Sequence, residues 1–448
     1  SSQKAFFQTH KTKDINFRIR QLKLLKKIIT EYEEPIISAC KMDLHRPEAE
    51  ILGGPILLMK QEINLFIKKL KKWTKPKKEK TPFWLYKSKS SIHYEPYGSV
   101  LIIGSWNFPL VVTLLPLVGV LAAGNCAVIK PSEFSTQTSR VIAEMINTSF
   151  PPEYCAAIEG GAETAKLLTN QPFNFIAYTG STETGKHVYQ AAARNLIPVL
   201  LEMGGKNPCI IDETAQIKTT CRRIAWAKFM NAGQVCVAPD YLYVHSSIKE
   251  KIIDELKTAI EKFYMINPEK SRDYGRIINK KHFNRLLSLL KNTSIIYGGK
   301  TDESTLYISP TLVDNPSWNS PIMKEEIFGP ILPILEYEDI NHPISQINKG
   351  ENPLSLYIYS RDKKRIEKVL TQTSSGNCGI NASIMQLLNQ HLPFGGIGNS
   401  GIGSYHGKAS LETFSHKKSM LKRSLVIDPD ILYPPYTKKT EKLMKFLG

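Results

Sequence analysis

Between residues 98 and 205 short apolar runs alternate with helix-period patterns. "SVLIIGS" precedes a helical stretch at about 110–123, and "CAVIK" precedes one at about 134–148. "CAAIEG" is followed by the helical "TAKLLT", "FNFIAYTGS" by a helix over about 181–194, and "IPVLLEMGG" closes the series. Strands buried on both faces read as continuous apolar runs, and helices between them return the chain to the same edge. The pattern therefore predicts an α/β fold, a parallel, doubly wound sheet with helices on both faces. Ligands of such sheets sit beyond the carboxyl ends of the strands, so Ser105-Trp106-Asn107, Lys130 and Gly180-Ser181 are expected around one crevice.

The flanking segments have other textures. Ile15, Ile19, Leu22, Leu25 and Ile29, and again Ile63, Phe66, Leu70 and Trp73, recur at three and four, so the first 75 residues are expected to be helical. Residues 74–97 are lysine-rich, broken by Pro76, Pro82 and Pro96, and end in the strand-like "SSIHYEP". They read as a connector or β-arm. A second α/β unit is expected over about 205–405, with "NPCIIDE", "DYLYVHSS", a helix near 247–264 and "LSLYIYS". The tail from 422 shows little periodicity.

Asn107 to Ile129 is a run of 23 residues without a charge, long enough to cross a bilayer. Pro109, Pro116, Gly119, Gly124 and Asn125 divide it, and it reads as a core helix, a turn and a buried strand. The net charge of +18 is concentrated in "KKLKKWTKPKKEK" (68–80) and "YTKKTEKLMKF" (436–446). Lysine dominates, aromatics are few and no nucleic-acid module accompanies them, so a solvated basic surface is expected, with peripheral contact to an anionic membrane as the alternative over specific nucleic-acid binding. No secretory leader is read at the start. Seven cysteines, an odd number with no Cys-x-x-Cys and no zinc spacing, argue against a disulfide framework and against a metal centre. A reducing, cytoplasmic setting is expected, with an intracellular membrane surface as the place where the lysines act.

Several residues could carry chemistry. In "YTGSTETGK" (178–186), Gly180 and Ser181 open a helix after a strand, where backbone N–H groups can meet a pyrophosphate; a plain strand-to-helix turn reads equally well. Lys130 and Glu133 in "IKPSE" suit ribose hydroxyls, or are two loop charges. Glu202 ends an apolar strand in "LLEMGG", where burial raises a carboxyl toward general-base range; a salt bridge is the alternative. The Asn107 amide at the end of another strand is placed to hold an oxyanion. Cys236 in "MNAGQVCVAPDY" is either a packing cysteine or a nucleophile.

In order and interval, Trp106-Asn107-Phe108-Pro109, Lys130-Pro131-Ser132-Glu133, Gly180-Ser181-Thr182, Glu202-Met203-Gly204-Gly205-Lys206, Gly233-Gln234-Val235-Cys236 and Glu326-Ile327-Phe328-Gly329-Pro330 resemble the aldehyde dehydrogenase superfamily. "LPFGGIGNSGIGSYHGKASLETFSHKK" (392–418) resembles its class 3 branch. The resemblance spans about 15–425. It implies a Rossmann-type NAD(P)-binding domain (1–77 and 97–204), a catalytic domain (205–421), and an oligomerisation arm and tail (78–96 and 422–448). It implies that Cys236 attacks the aldehyde, Asn107 and the Cys236 N–H hold the oxyanion, and Glu202 activates water against the thioester. Lys130 would bind the adenosine ribose, Gly180 and Ser181 would border the dinucleotide, and Glu326 and Phe328 would place the nicotinamide end. The cofactor would be NAD or NADP, since Glu133 does not exclude the latter. Medium- or long-chain aliphatic and aromatic aldehydes, and a homodimer, are further implications. Trp226 and Met230 are candidates for the substrate funnel or for ordinary packing. Leu110, which replaces an aromatic common after the Asn-Phe-Pro run, is expected on a pocket wall; Met203 replaces a leucine.

Overall fold

The computed structural model describes residues 2–428 and 430–447. Its centre is a six-stranded sheet in the order Gly401–Ile402, Val199–Met203, Phe175–Gly180, Ser99–Ile103, Cys126–Lys130, Cys155–Ala157. All pairings are parallel except that of Gly401–Ile402, which runs antiparallel beside Glu202. The strand order reverses at Ser99–Ile103, which has later strands on both sides. This is the switch point at which α/β sheets open a ligand crevice.

The helix Pro109–Ala123 explains the long uncharged run. Every one of its residues is buried, and Gly124 (φ 93) ends it in the left-handed conformation. A Cβ on Gly119 would lie 2.7 Å from the Ser410 side chain and 2.9 Å from Phe414, so a later helix, Gly407–Thr413, presses directly on this one. The run is core. Among the described residues no helix is long and apolar enough to cross a membrane.

A second sheet has seven strands: Ser294–Tyr297, Thr311–Asp314, Ile331–Tyr337, Tyr241–His245, Pro208–Ile211, Ser355–Tyr359 and Asn377–Ile380. Only the edge strand Ser294–Tyr297 is antiparallel. A third, three-stranded antiparallel sheet joins Lys77–Glu79, Lys89–Pro96 and Ser415–Lys422. The helices expected over the first 75 residues are Ile15–Glu31, Glu33–Leu44 and Leu57–Trp73, with shorter turns between; the Asp14 carboxylate caps the first of them.

Late in the chain Gly401–Ile402 returns to the first sheet and Ser415–Lys422 joins the arm. The tail, read as lacking periodicity, forms the amphipathic helix Lys438–Leu447, in which lysine, glutamate, leucine and methionine favour helix and the apolar residues fall on one side.

Candidate active site

A cavity of about 730 Å³ opens between the two large sheets. Cys236, Glu202, Asn107, Gly180, Ser181, Glu326, Phe328, Trp226 and Met230 all line it.

The loop that carries Cys236 accounts for its own sequence. Asn231 (φ 49) and Ala232 (φ 51) are left-handed without being glycine, and Gly233 (φ 75) completes the turn. A Cβ on Gly233 would come within 2.2 Å of the Gly329 carbonyl oxygen, so no other residue fits there. Gln234 is fully buried: its amide donates to the Asn231 and Arg276 carbonyls, both at 2.9 Å, and its Oε1 accepts from Ile278 N–H at 3.0 Å. Asn207 donates to the Cys236 carbonyl at 2.7 Å, and Tyr357 donates to that of Val237 at 2.6 Å. The main chain of the nucleophile candidate is thus held on both sides, while the residue itself is half-buried on the cavity wall.

Asn107 is buried. It receives a hydrogen bond from Ser105 Oγ at 2.7 Å and gives one from Nδ2 to the Gln234 carbonyl at 3.1 Å. Glu202 is only 4% exposed and neither carboxyl oxygen has a hydrogen-bond partner. Burial raises its pKa well above the usual carboxylate range. Among the described residues the salt-bridge alternative for Glu202 finds no partner. Glu326 lies against Gly204, where a Cβ would meet its Oε2 at 2.1 Å. Burial, helped by the Asp240 charge, pushes Glu326 up to about 8. Burial first, then Glu326 and Glu202, push the Cys236 thiol up to about 12, against the pull of the Cys236 and Val237 backbone N–H groups. Burial thus favours the thiol over the thiolate.

On the crevice side, Phe328 takes a left-handed φ of 48° and sets its ring edge-on to Trp106 at 5.3 Å. The Ser181 side chain caps the helix Thr182–Ala193. Lys130 and Glu133 are not part of the cavity wall; at the carboxyl end of the neighbouring strand they pair with each other, Nζ to Oε2 at 2.6 Å. Leu110 does not line the cavity. It is 1% exposed in the core, while Val111 and Val112 reach the wall, since successive helix positions turn by about 100°.

Further wall residues were not singled out beforehand: Glu50, Arg285, Phe394, Tyr405 and His406. Arg285 braces the 325–327 segment through the Glu325 carboxylate and the Glu326 and Ile327 carbonyls. The glycines of "LPFGGIGNSGIGSYHGK" were the available signal for the last three. A Cβ on Gly395 would meet the Gly403 carbonyl at 2.2 Å, and one on Gly396 the Ser400 carbonyl at 2.1 Å, so the chain is folded back on itself at the site. Among the described residues no His/Cys/Asp/Glu cluster could hold a metal ion.

A reachable cysteine, a side-chain amide and two elevated carboxyls at the mouth of a dinucleotide-type sheet are the equipment of an oxidoreductase acting on a carbonyl. The chain belongs to the aldehyde dehydrogenase family, whose model matches residues 1–420; these enzymes oxidise aldehydes with NAD or NADP. It is 47% identical to the 4,4'-diaponeurosporen-aldehyde dehydrogenase of Staphylococcus aureus (strain NCTC 8325 / PS 47), covering 99% of this chain and 97% of that one. It is 44% identical to the dimeric NADP-preferring aldehyde dehydrogenase of Canis lupus familiaris, over 96% of each chain. The mouse aldehyde dehydrogenase family 3 member A2 is 41% identical over 98% of this chain and 91% of its own. The substrate-bound state of Staphylococcus aureus AldH superposes with a TM-score of 0.98 at 46% identity, covering 100% of this chain and 98% of that one. These relatives agree with the class 3 resemblance.

Proposed function

We propose that the chain oxidises medium- or long-chain aliphatic and aromatic aldehydes through a thiohemiacetal and then a thioester on Cys236. The observation that carries this is the single cavity in which Cys236, Asn107 and Glu202 meet walls of Leu58, Val111, Val112, Trp226, Met230 and Phe394. Apolar walls reward each buried methylene of a substrate by about 0.8 kcal/mol, which favours long over short aldehydes. The names of the relatives point the same way.

The Cys236 sulfur attacks the carbonyl carbon, and as the C–S bond forms its proton passes to water in the open cavity. The oxyanion is held by the Asn107 amide and the Cys236 N–H, which stabilise charge only as it develops. NAD or NADP, when bound, accepts the hydride. Glu202, in its ionised form, then takes a proton from the water that attacks the thioester, releasing the acid. The crevice suits a dinucleotide: the helix opened by Ser181 presents its N-terminus to phosphate at the carboxyl end of Phe175–Gly180. Lys130 and Glu133 are assigned to the adenosine ribose, and Glu326 and Phe328 to the nicotinamide end. Residues 1–77 with 97–204 form the cofactor half in this reading.

NADH or NADPH absorbance after addition of aldehydes of increasing chain length tests the reading. The rate should rise toward longer chains; folded protein that turns over none of them with either cofactor would end it.

A homodimer is proposed as well. It is supported by the word "dimeric" in the canine relative's name and by the projecting arm, where Phe83, Trp84 and Tyr86 are exposed. Sedimentation should give about twice the 50.6 kDa chain mass; a monomer at micromolar concentration would exclude it. The lysines of 68–80 support a cytoplasmic protein that visits an anionic membrane surface, which flotation with anionic but not neutral vesicles would reveal.

A further inference from the structure

One of the cavity's wall residues, Glu50, belongs to an ion pair that the proposed chemistry does not use. Arg46 Nε lies 3.7 Å from Glu50 Oε2, and Arg46 is 1% exposed. Among the described residues none of the three guanidinium nitrogens has a hydrogen-bond partner, nor has Glu50 Oε2. Arg46 is deeply desolvated while the Glu50 side chain keeps 15% of its surface exposed; such a pair contributes little to stability compared with apolar packing, so its presence calls for another explanation.

The pair touches both segments that carry the assigned oxyanion donors. The Arg46 guanidinium stacks over the Phe108 ring, 4.3 Å from its centroid, directly beside Asn107. Glu50 lines the same cavity wall as Met230, Val235 and Cys236, at the left-handed turn of the Cys236 loop, and while burial pushes its carboxyl up, Arg46 and the Asn231 main chain draw it back. Asn231 in turn donates from its side chain to the Asn107 carbonyl at 3.0 Å and the Gln234 carbonyl at 3.3 Å. Two successive left-handed residues with a Cβ persist only where the surroundings over-determine them.

We propose that Arg46 and Glu50 are positioning residues for the oxyanion site, Arg46 fixing the Phe108 side and Glu50 the Asn231 side so that the Asn107 amide and the Cys236 N–H converge. The proposal rests on the roles given to Asn107 and Cys236 above.

Reactions of the same thiol separate positioning from general disruption. Aldehyde oxidation and cleavage of p-nitrophenyl acetate both pass through an oxyanion, whereas alkylation by iodoacetamide forms a C–S bond and expels iodide without one. Glu50→Gln should lower kcat for the first two together by about 10–100-fold, with alkylation of Cys236 and KM for NAD(P) within about threefold. Arg46→Lys keeps the charge but loses the planar stack, and should fall by about 3–10-fold with the same selectivity. Added to Asn107→Ala, Glu50→Gln should cost less than about twofold more, because it acts through Asn107. Full activity in both single variants overturns the proposal, as does a parallel loss of alkylation and acyl transfer. If Glu50→Gln does not fold, Arg46→Lys decides by the same criteria. Failure of the wild-type protein to oxidise any aldehyde would overturn the site assignment itself, and is read before any variant is made.

Discussion

The Asn107 side-chain amide donates to the Gln234 carbonyl at 3.1 Å, two residues before the cysteine. Ser105 Oγ donates to the other end of the same amide, so its nitrogen is aimed at the Cys236 loop. Asn107→Ala should lower kcat by about 100–1,000-fold and leave cofactor affinity within about twofold. Stopped-flow measurement of the first turnover checks it; a loss below tenfold would remove Asn107 from the oxyanion site.

Cys236 should stay largely protonated in the cofactor-free enzyme. With burial, Glu326 and Glu202 pushing its thiol up to about 12, the rate of iodoacetamide labelling should still be climbing at pH 9. A plateau near pH 7 would show a stabilised thiolate instead. Cys236→Ser should abolish labelling at this site and aldehyde oxidation while retaining NAD(P)H binding by fluorescence.

Glu202 weakens the fold that holds it. Its folded pKa is raised by burial, so between the ordinary carboxylate pKa and the folded value the native state holds the extra proton. Stability therefore falls as pH rises through that window, and the cost persists above it. Glu202→Gln should raise the thermal midpoint by roughly 1–3 °C at pH 8 and by less at pH 5, while suppressing thioester hydrolysis. Equal midpoints at pH 8 would contradict the unpartnered burial.

Lys130 is almost wholly buried and spends its hydrogen bond on Glu133. A phosphate on the adenosine ribose would meet the Glu133 carboxylate, whereas bare hydroxyls would donate to it. Glu133→Gln should shift the NADP-to-NAD ratio of kcat/KM toward NADP by about tenfold. An unchanged ratio would place the ribose elsewhere.

The strands and helices of the first sheet were legible because each apolar run is short and punctuated by glycine or proline. Cys236, Glu202 and Asn107 were legible one by one only as alternatives, and it was their ordered resemblance to a family that joined them. Leu110 was misplaced because a sequence motif does not fix which way a helix is turned; Val111 and Val112 face the cavity instead. Arg46 and Glu50 gave no signal, since two charges at i and i+4 look like a solvent-facing pair until the fold buries them. The return of the chain at 401 was equally hidden, because a two-residue strand has no pattern of its own.

That short return has a consequence for how the molecule is made. Gly401–Ile402 is the edge beside Glu202, and the helix that presses on Gly119 follows it at Gly407–Thr413. During synthesis the first sheet therefore waits, one edge uncovered, until nearly the whole chain has emerged. Contacts this distant in sequence slow the final closure and leave an exposed strand as a template for other chains. Assembly of the Glu202 side of the pocket is thus among the last events of folding, and chains released before residue 401 should aggregate through the strand Val199–Met203.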